Sequence, residues 1–309
     1  MEKSLREALA AYGMDGAAAT LLRHNENATY RVACGGRAYV LRVHAPRPGF
    51  ALEMFGVDRH GRGKLEGELA MLRALAEGGF PVQRPVDSRA GEYVTVLESG
   101  DCATLLTWIE GETISDLTEE IARDAGRLAA RMHLFLNERS DLVGIDRYGY
   151  DESLLGTLRA LLLKGDEAGA FGDGMTDISH ALDAIAARMA LLRARGKSFG
   201  LIHADLSKGN LIQTKEGLTP IDFCLSGFGF FAQDVGGMTA DFGERFRGAL
   251  LAGYADAWGS TSDETSVDAF VALGVLLFIG SHWRDAMGEA WFPGALERWR
   301  RTLFRPLPV

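Results

Sequence analysis

The stretch GLIHADLSKGNLIQTKEGLTPIDFCLSGFG occupies residues 200–229. It sets a His, two Asp and an Asn between apolar runs. Asp205 precedes Asn210 by five residues and Asp222 by seventeen. A packed core has no use for that arrangement, because each buried polar group must find a partner. A metal-nucleotide site does. NLIQT and LTPID read as two short strands joined by Lys215-Glu216-Gly217. A tight turn after the first apolar run would project Asp205 and Asn210 into one cleft, and the hairpin would bring Asp222 back to the same mouth.

On the N-terminal side, ATYRVACGGRAYVLRVH alternates apolar and polar residues about Gly35-Gly36 and predicts a hairpin. Leu65, Leu69, Leu72 and Leu75 share one helical face, and Gly78-Gly79 closes that helix. EYVTVLES and CATLLTWI read as further strands. Beyond Glu112 the period becomes helical: Ile121, Ala125, Leu128, Met132 and Phe135, then Leu182, Ile185, Met189 and Leu192, then patterns near 244–257, 264–280 and 285–303. The expected class is α+β. A small β-rich lobe spans 1–106, a connector 107–111, and a larger helical lobe 112–309. Two stretches, 45–63 and 163–177, read as mobile loops. Trp283, Trp291 and Trp299 recur every eight residues, but Pro293 interrupts the helix they would need, so core packing is expected of them.

The net charge of −9 argues against general nucleic-acid or anionic-membrane binding. Three scattered cysteines offer no zinc spacing and suit a reducing cytoplasm. The N-terminal MEKSLREALAAYG carries charges where a signal peptide needs an apolar run, and the longest apolar run, 269–281, is shorter than a membrane span. A cytoplasmic protein without membrane or nucleic-acid partners is therefore expected. The sequence does not define its oligomeric state.

Phosphoryl transfer requires an aligned hydroxyl, a metal on the phosphates and cations near the developing charge. Mg²⁺ takes hard oxygen ligands, and one Asp near the acceptor can orient its hydroxyl and take the proton. His-Ala-Asp-Leu-Ser-Lys-Gly-Asn followed by Ile-Asp-Phe supplies those parts in that order.

In this pattern the chain resembles the aminoglycoside phosphotransferase and choline kinase family, which has a two-lobed, protein-kinase-like fold and includes homoserine-type kinases. The resemblance covers about residues 20–260. It implies an enzyme using ATP and Mg²⁺, with Asp205 as the catalytic Asp and Asn210 and Asp222 as metal ligands. His203 would brace the turn, and Asp234 would anchor it from a helix start. Asn25, Glu26 and Asn27 would form the turn that covers the phosphates, through backbone N–H groups. Arg42 stands where the family's phosphate-contacting Lys sits, with Glu68 as its helix partner. Thr107, Trp108 and Ile109 would meet the adenine, and Lys208 the γ-phosphate. Two departures stand out: Arg replaces Lys at 42, and no second acidic residue accompanies Asp222 in IDFCLSGFG.

The implied partner is a small hydroxyl acceptor of cationic type: an amino alcohol, a hydroxy amino acid or an aminoglycoside-like molecule. Asp241 and Glu244 are candidates to bind its ammonium, and Asp166, Glu167, Asp173 and Asp177 could add carboxylates from the 163–177 stretch. The alternatives are a protein Ser/Thr kinase and a nucleotide-binding pseudokinase. Only eleven residues separate Asp222 from Asp234, which is short for peptide recognition.

Overall fold

The structure is a computed structural model that describes residues 2–47, 53–55, 57, 60–260 and 263–309. Part of the loop expected over 45–63, namely 48–52, 56, 58 and 59, lies outside the described residues. Contacts group the chain into two compact units. The first comprises Met1–Glu112, Arg139–Arg147 and Ile212–Cys224, and the second comprises Thr113–Glu138, Tyr148–Leu211 and Leu225–Val309.

The first unit opens with α1 (Glu2–Ala11), followed by β1 (Ala18–His24), β2 (Ala28–Cys34) and β3 (Arg37–His44). Then come α2 (Arg62–Glu77), β4 (Val94–Val96), β5 (Cys102–Thr107) and β6 (Glu112–Thr113). The five longer-range strands make an antiparallel sheet in the order β1-β2-β3-β5-β4. The Gly35-Gly36 hairpin is present, and both glycines have positive φ, as a two-residue turn between twisted strands demands. Alternation along β3 decides what each face meets. Leu41 and Val43 join Ala8, Leu9, Tyr12, Tyr30 and Leu105 in one apolar cluster, so α1 covers that face. Arg42 and His44 point to the other face, where Arg42 meets Glu68 of α2. The motif-based reading had not identified α1, although its Leu5, Ala8, Leu9 and Tyr12 have helical spacing.

The second unit is mostly helical. It contains α3 (Glu119–Asn137), β7 (Tyr148–Tyr150), α4 (Glu152–Glu167), α5 (Met175–Arg195) and β8 (Phe199–Ile202). After Leu211 the chain runs through the predicted hairpin of β9 (Leu211–Thr214) and β10 (Gly217–Pro220), whose sheet order is β10-β9-β6. It then continues through β11 (Gly227–Phe230), α6 (Phe231–Phe242), α7 (Glu244–Trp258), α8 (Glu264–Ala286) and α9 (Phe292–Trp299). Thr118 caps α3 by accepting the Ile121 N–H at 3.2 Å, and Glu119 and Glu120 complement its dipole. Helices α3 and α7 approach through glycines. A Cβ on Gly126 would lie 2.1 Å from the Leu250 carbonyl oxygen, and one on Gly253 would lie 1.9 Å from that of Arg123.

Two expectations are corrected here. The 163–177 stretch is not a long loop. It is the end of α4, a short turn, and the start of α5, and Arg300 ties it down through Asp173 and Asp177, each at 2.6 Å. The apolar run 269–281 is the middle of α8, which has 23 residues and is long and apolar enough to cross a membrane by length and composition. Its Phe270, Leu273, Leu276 and Ile279 are nevertheless buried in contacts with α4, α5 and α6. Of the three tryptophans, Trp283 is buried and Trp291 is about half exposed, because α8 ends before Pro293 begins the next helix.

Candidate active site

In the second unit, β8 delivers the chain into the loop 203–210. Leu201 and Ile202 are buried, Ala204 adopts positive φ, and the chain turns sharply. Asp234, 2% exposed in the first turn of α6, holds that turn. It accepts the backbone N–H of His203 at 2.9 Å and of Ala204 at 2.7 Å. His133 of α3 donates from Nε2 to Asp234 at 3.0 Å, and its Nδ1 faces the Tyr254 hydroxyl at 3.0 Å. Burial alone would raise the Asp234 carboxyl. The hydrogen bond from His133, with the charges of His133 and His203, outweighs it and holds the group below the usual carboxylate range. Asp234 is thus an anchor, as the sequence suggested.

Within the loop, Asn210 donates its amide N–H to the Asp205 carbonyl oxygen at 2.9 Å and to the Asp205 carboxylate at 2.8 Å. Asn210 is buried and Asp205 exposed. Lys208 donates its backbone N–H to the Asp241 carboxylate at 2.7 Å. Asp241 had been a candidate for binding a substrate ammonium; in the structure one of its oxygens braces the loop. Helix α6 therefore grips the loop at two points, one buried and one exposed. Asp173 and Asp177, two of the carboxylates offered from the 163–177 stretch, are paired with Arg300, and Asp177 also with Arg305 at 2.9 Å. Hydrogen bonds and charges from these arginines lower both carboxyls, which are committed to structure.

The first unit holds the remaining candidates: Asn25, Glu26, Asn27, Arg42, Glu68, Thr107, Trp108, Ile109 and Asp222. Arg42 and Glu68, 3% and 0% exposed, meet at 2.8 Å as the sequence predicted. The contact is an ion pair without an in-line hydrogen bond: Arg42 Nε and Nη2 and both Glu68 oxygens are buried with no hydrogen-bond partner. The covering turn is pinned by its own side chains. Thr29 donates to Asn27 at 2.5 Å, Asn27 donates to Glu26 at 3.1 Å, and the Asn25 N–H is spent on the Asn27 carbonyl at 3.2 Å. At the connector, the N–H of Thr107 goes to Arg84 at 2.9 Å and that of Trp108 to Ala38 at 3.3 Å.

Asp222 has positive φ, a turn conformation that Asp tolerates better than most residues. Its carboxylate accepts from Arg23 Nη2, while its Oδ1 is buried without a hydrogen-bond partner. Burial opposes the charge, but the charge and hydrogen bond of Arg23, then the charge of Arg42, hold its pKa down. Arg147 fixes the segment after Asp222 by donating to the carbonyls of Phe223 at 3.0 Å and Cys224 at 2.7 Å. No motif pointed to Arg23, Arg147 or His133. The hydrogen bonds just described join residues at least 76 apart in the chain, so no local pattern could announce them.

The sequence profile of the phosphotransferase enzyme family matches residues 19–270. Amicoumacin kinase of Bacillus subtilis (strain 168) is 25% identical over 241 residues, a region that spans 76% of this chain and 66% of that protein. A microcompartment-associated aminopropanol kinase superposes with a TM-score of 0.74 at 26% identity, covering 98% of this chain and 99% of the other. An amicoumacin kinase in complex with AMP-PNP, Ca²⁺ and Ami superposes with a TM-score of 0.78, covering 98% and 93%; at 18% identity it speaks for the kinase-like fold alone.

Proposed function

The chain belongs to the phosphotransferase enzyme family, and from that membership we propose that it is an ATP- and Mg²⁺-dependent kinase of a small-molecule hydroxyl. The carrying observation is the loop 203–210: Asp205 exposed, bonded to Asn210, on a backbone that Asp234 holds from below. Asp205 orients the acceptor hydroxyl and takes its proton, and the Asn210 amide N–H holds that carboxylate in one rotamer. Asn210 and Asp222 would hold Mg²⁺, and Asp222 fits because its buried Oδ1 lacks a partner. Mg²⁺ there would neutralise phosphate charge. Arg42, with two nitrogens unsatisfied, fits a phosphate oxygen; Glu68 orients it, and Lys208 adds charge from the loop. The turn 25–27 covers the phosphates. With the N–H groups of Thr107 and Trp108 already spent, the base would use Ile109.

For the acceptor we favour an amino alcohol. The aminopropanol kinase matches over nearly its full length, and the carboxylates of 173 and 177 are unavailable for a polycationic antibiotic. A protein Ser/Thr kinase is the weaker reading, since only β11 and a few residues separate Asp222 from α6.

The test is ADP release from Mg²⁺-ATP with aminopropanol, ethanolamine, choline, homoserine, aminoglycosides and a Ser/Thr peptide mixture. Release that depends on an amino alcohol and falls by about a thousandfold or more in Asp205→Asn supports the reading. Nucleotide binding without release under any acceptor would identify a pseudokinase, and release with peptides alone would favour the protein kinase.

A further inference from the structure

The sequence offers no second acidic ligand beside Asp222, but the fold of the first unit supplies one. Glu26, in the turn after β1, Asp222 and Cys224 each place a donor atom within 4.8 Å of the others. The Cys224 sulfur is a soft donor and does not suit a hard cation, which prefers oxygen. Two carboxylates remain, and a single arginine lies between them. Arg23 bonds Asp222 and stands 3.7 Å from Glu26. The three side chains differ in freedom: Arg23 is 42% exposed, whereas Asp222 and Glu26 are 10% and 13% exposed. The unpartnered Asp222 Oδ1 is a further acceptor that the guanidinium does not satisfy.

We propose that Glu26 and Asp222 form a two-carboxylate seat for a hard divalent cation, that Arg23 fills this seat in the metal-free protein, and that cation binding drives Arg23 out to solvent. The identification of Asp222 as a metal ligand rests on the phosphotransferase reading above; the roles of Glu26 and Arg23 go beyond it. Charge favours the exchange. One guanidinium between two carboxylates leaves a net −1, whereas a divalent ion cancels both. The nearby Arg42 is paired with Glu68 at 2.8 Å. Geometry favours it too. A planar fork aligned on Asp222 leaves Glu26 at ion-pair range only, while a spherical ion accepts both carboxylates and fills its remaining positions with water. Arg23 leaves easily because its long side chain already reaches solvent.

The experiment is Mn²⁺ titration of the nucleotide-free, full-length protein, followed by electron paramagnetic resonance. Arg23→Gln is expected to tighten Mn²⁺ binding about tenfold, the scale of one lost charged hydrogen bond. Glu26→Gln is expected to weaken it by a similar factor, and to abolish the gain when combined with Arg23→Gln. Arg23→Lys keeps a cation without the fork and should fall between wild type and Arg23→Gln. Unchanged or weaker Mn²⁺ binding in Arg23→Gln, or indifference to Glu26→Gln, would overturn the proposal. Acceptor-dependent ADP release is scored separately. Turnover with Mn²⁺ affinity indifferent to both residues defeats this inference alone. The predicted Mn²⁺ pattern without any phosphorylated acceptor defeats the functional reading and leaves the cation seat standing.

Discussion

Two aspartates, one in each unit, are both largely buried and both held ionised, yet they have opposite surroundings. Asp234 has every demand met: two backbone N–H groups and an imidazole converge on it, and a tyrosine backs the imidazole. Asp222 has one partly exposed arginine, a neighbouring carboxylate and an oxygen with no hydrogen-bond partner. Saturation by fixed donors marks a carboxylate that serves the fold. A buried carboxylate left half-satisfied points to a ligand, since an unmet buried acceptor costs about 1–3 kcal/mol unless something else binds it.

The largest expected consequence of this contrast is in stability. Asp234→Ala strands two N–H groups and His133 and should lower unfolding free energy by about 3–5 kcal/mol in urea titration. Asp222→Ala should cost under about 1 kcal/mol, because Arg23 can turn to water. Equal losses would break the comparison.

Acid should separate the units next. Burial is the chief cause that lowers His60 to about 4 and holds His44 well below the ordinary imidazole value. Their stabilisation is complete above pH 6.5 and is lost as pH falls towards their folded values, because the unfolded chain takes up protons first. The His60 share is up to about 3 kcal/mol, and His60→Gln should flatten the stability profile between pH 6.5 and 4. Asp234 behaves differently. Its folded pKa is depressed, so its contribution is present above about pH 4 and fades only as pH drops through the lower folded value. Asp234→Asn should therefore change the profile below pH 4 and leave the histidine limb intact.

A smaller effect tests the exposed half of the loop's support. Asp241→Ala removes one bond to the Lys208 N–H. It should cost about 1 kcal/mol and speed hydrogen exchange at that amide, with kcat falling more than KM. Smallest of all, Arg23→Gln should move stability by less than about 0.5 kcal/mol, as expected for an arginine whose side chain is 42% exposed. A loss near that of Asp234→Ala would make Arg23 a structural anchor.

The β2-β3 and β9-β10 hairpins and α2 were legible because their signals are local: two glycines in a turn, alternation along a strand, four leucines on a helix face. The Arg42–Glu68 pair was legible through the family pattern. The contact of Asp241 with the loop was not legible, because a carboxylate near a helix end looks the same whether it faces a substrate or a backbone N–H. The 163–177 stretch looked mobile because its glycines and acids are turn formers, and its restraint, Arg300, lies more than a hundred residues away.

The sequence by itself determined the family and the order of the strands and helices named from local period, and it singled out Asp205, Asn210 and Asp222 as candidates, because each depends on residues near one another in the chain. The tertiary structure alone decided which carboxylates are spent and which remain available. Asp234, Asp241, Asp173 and Asp177 are occupied by donors from other elements, whereas Glu26 is delivered beside Asp222. Burial and hydrogen-bond partnership are properties of the folded neighbourhood, and no spacing along the chain encodes them.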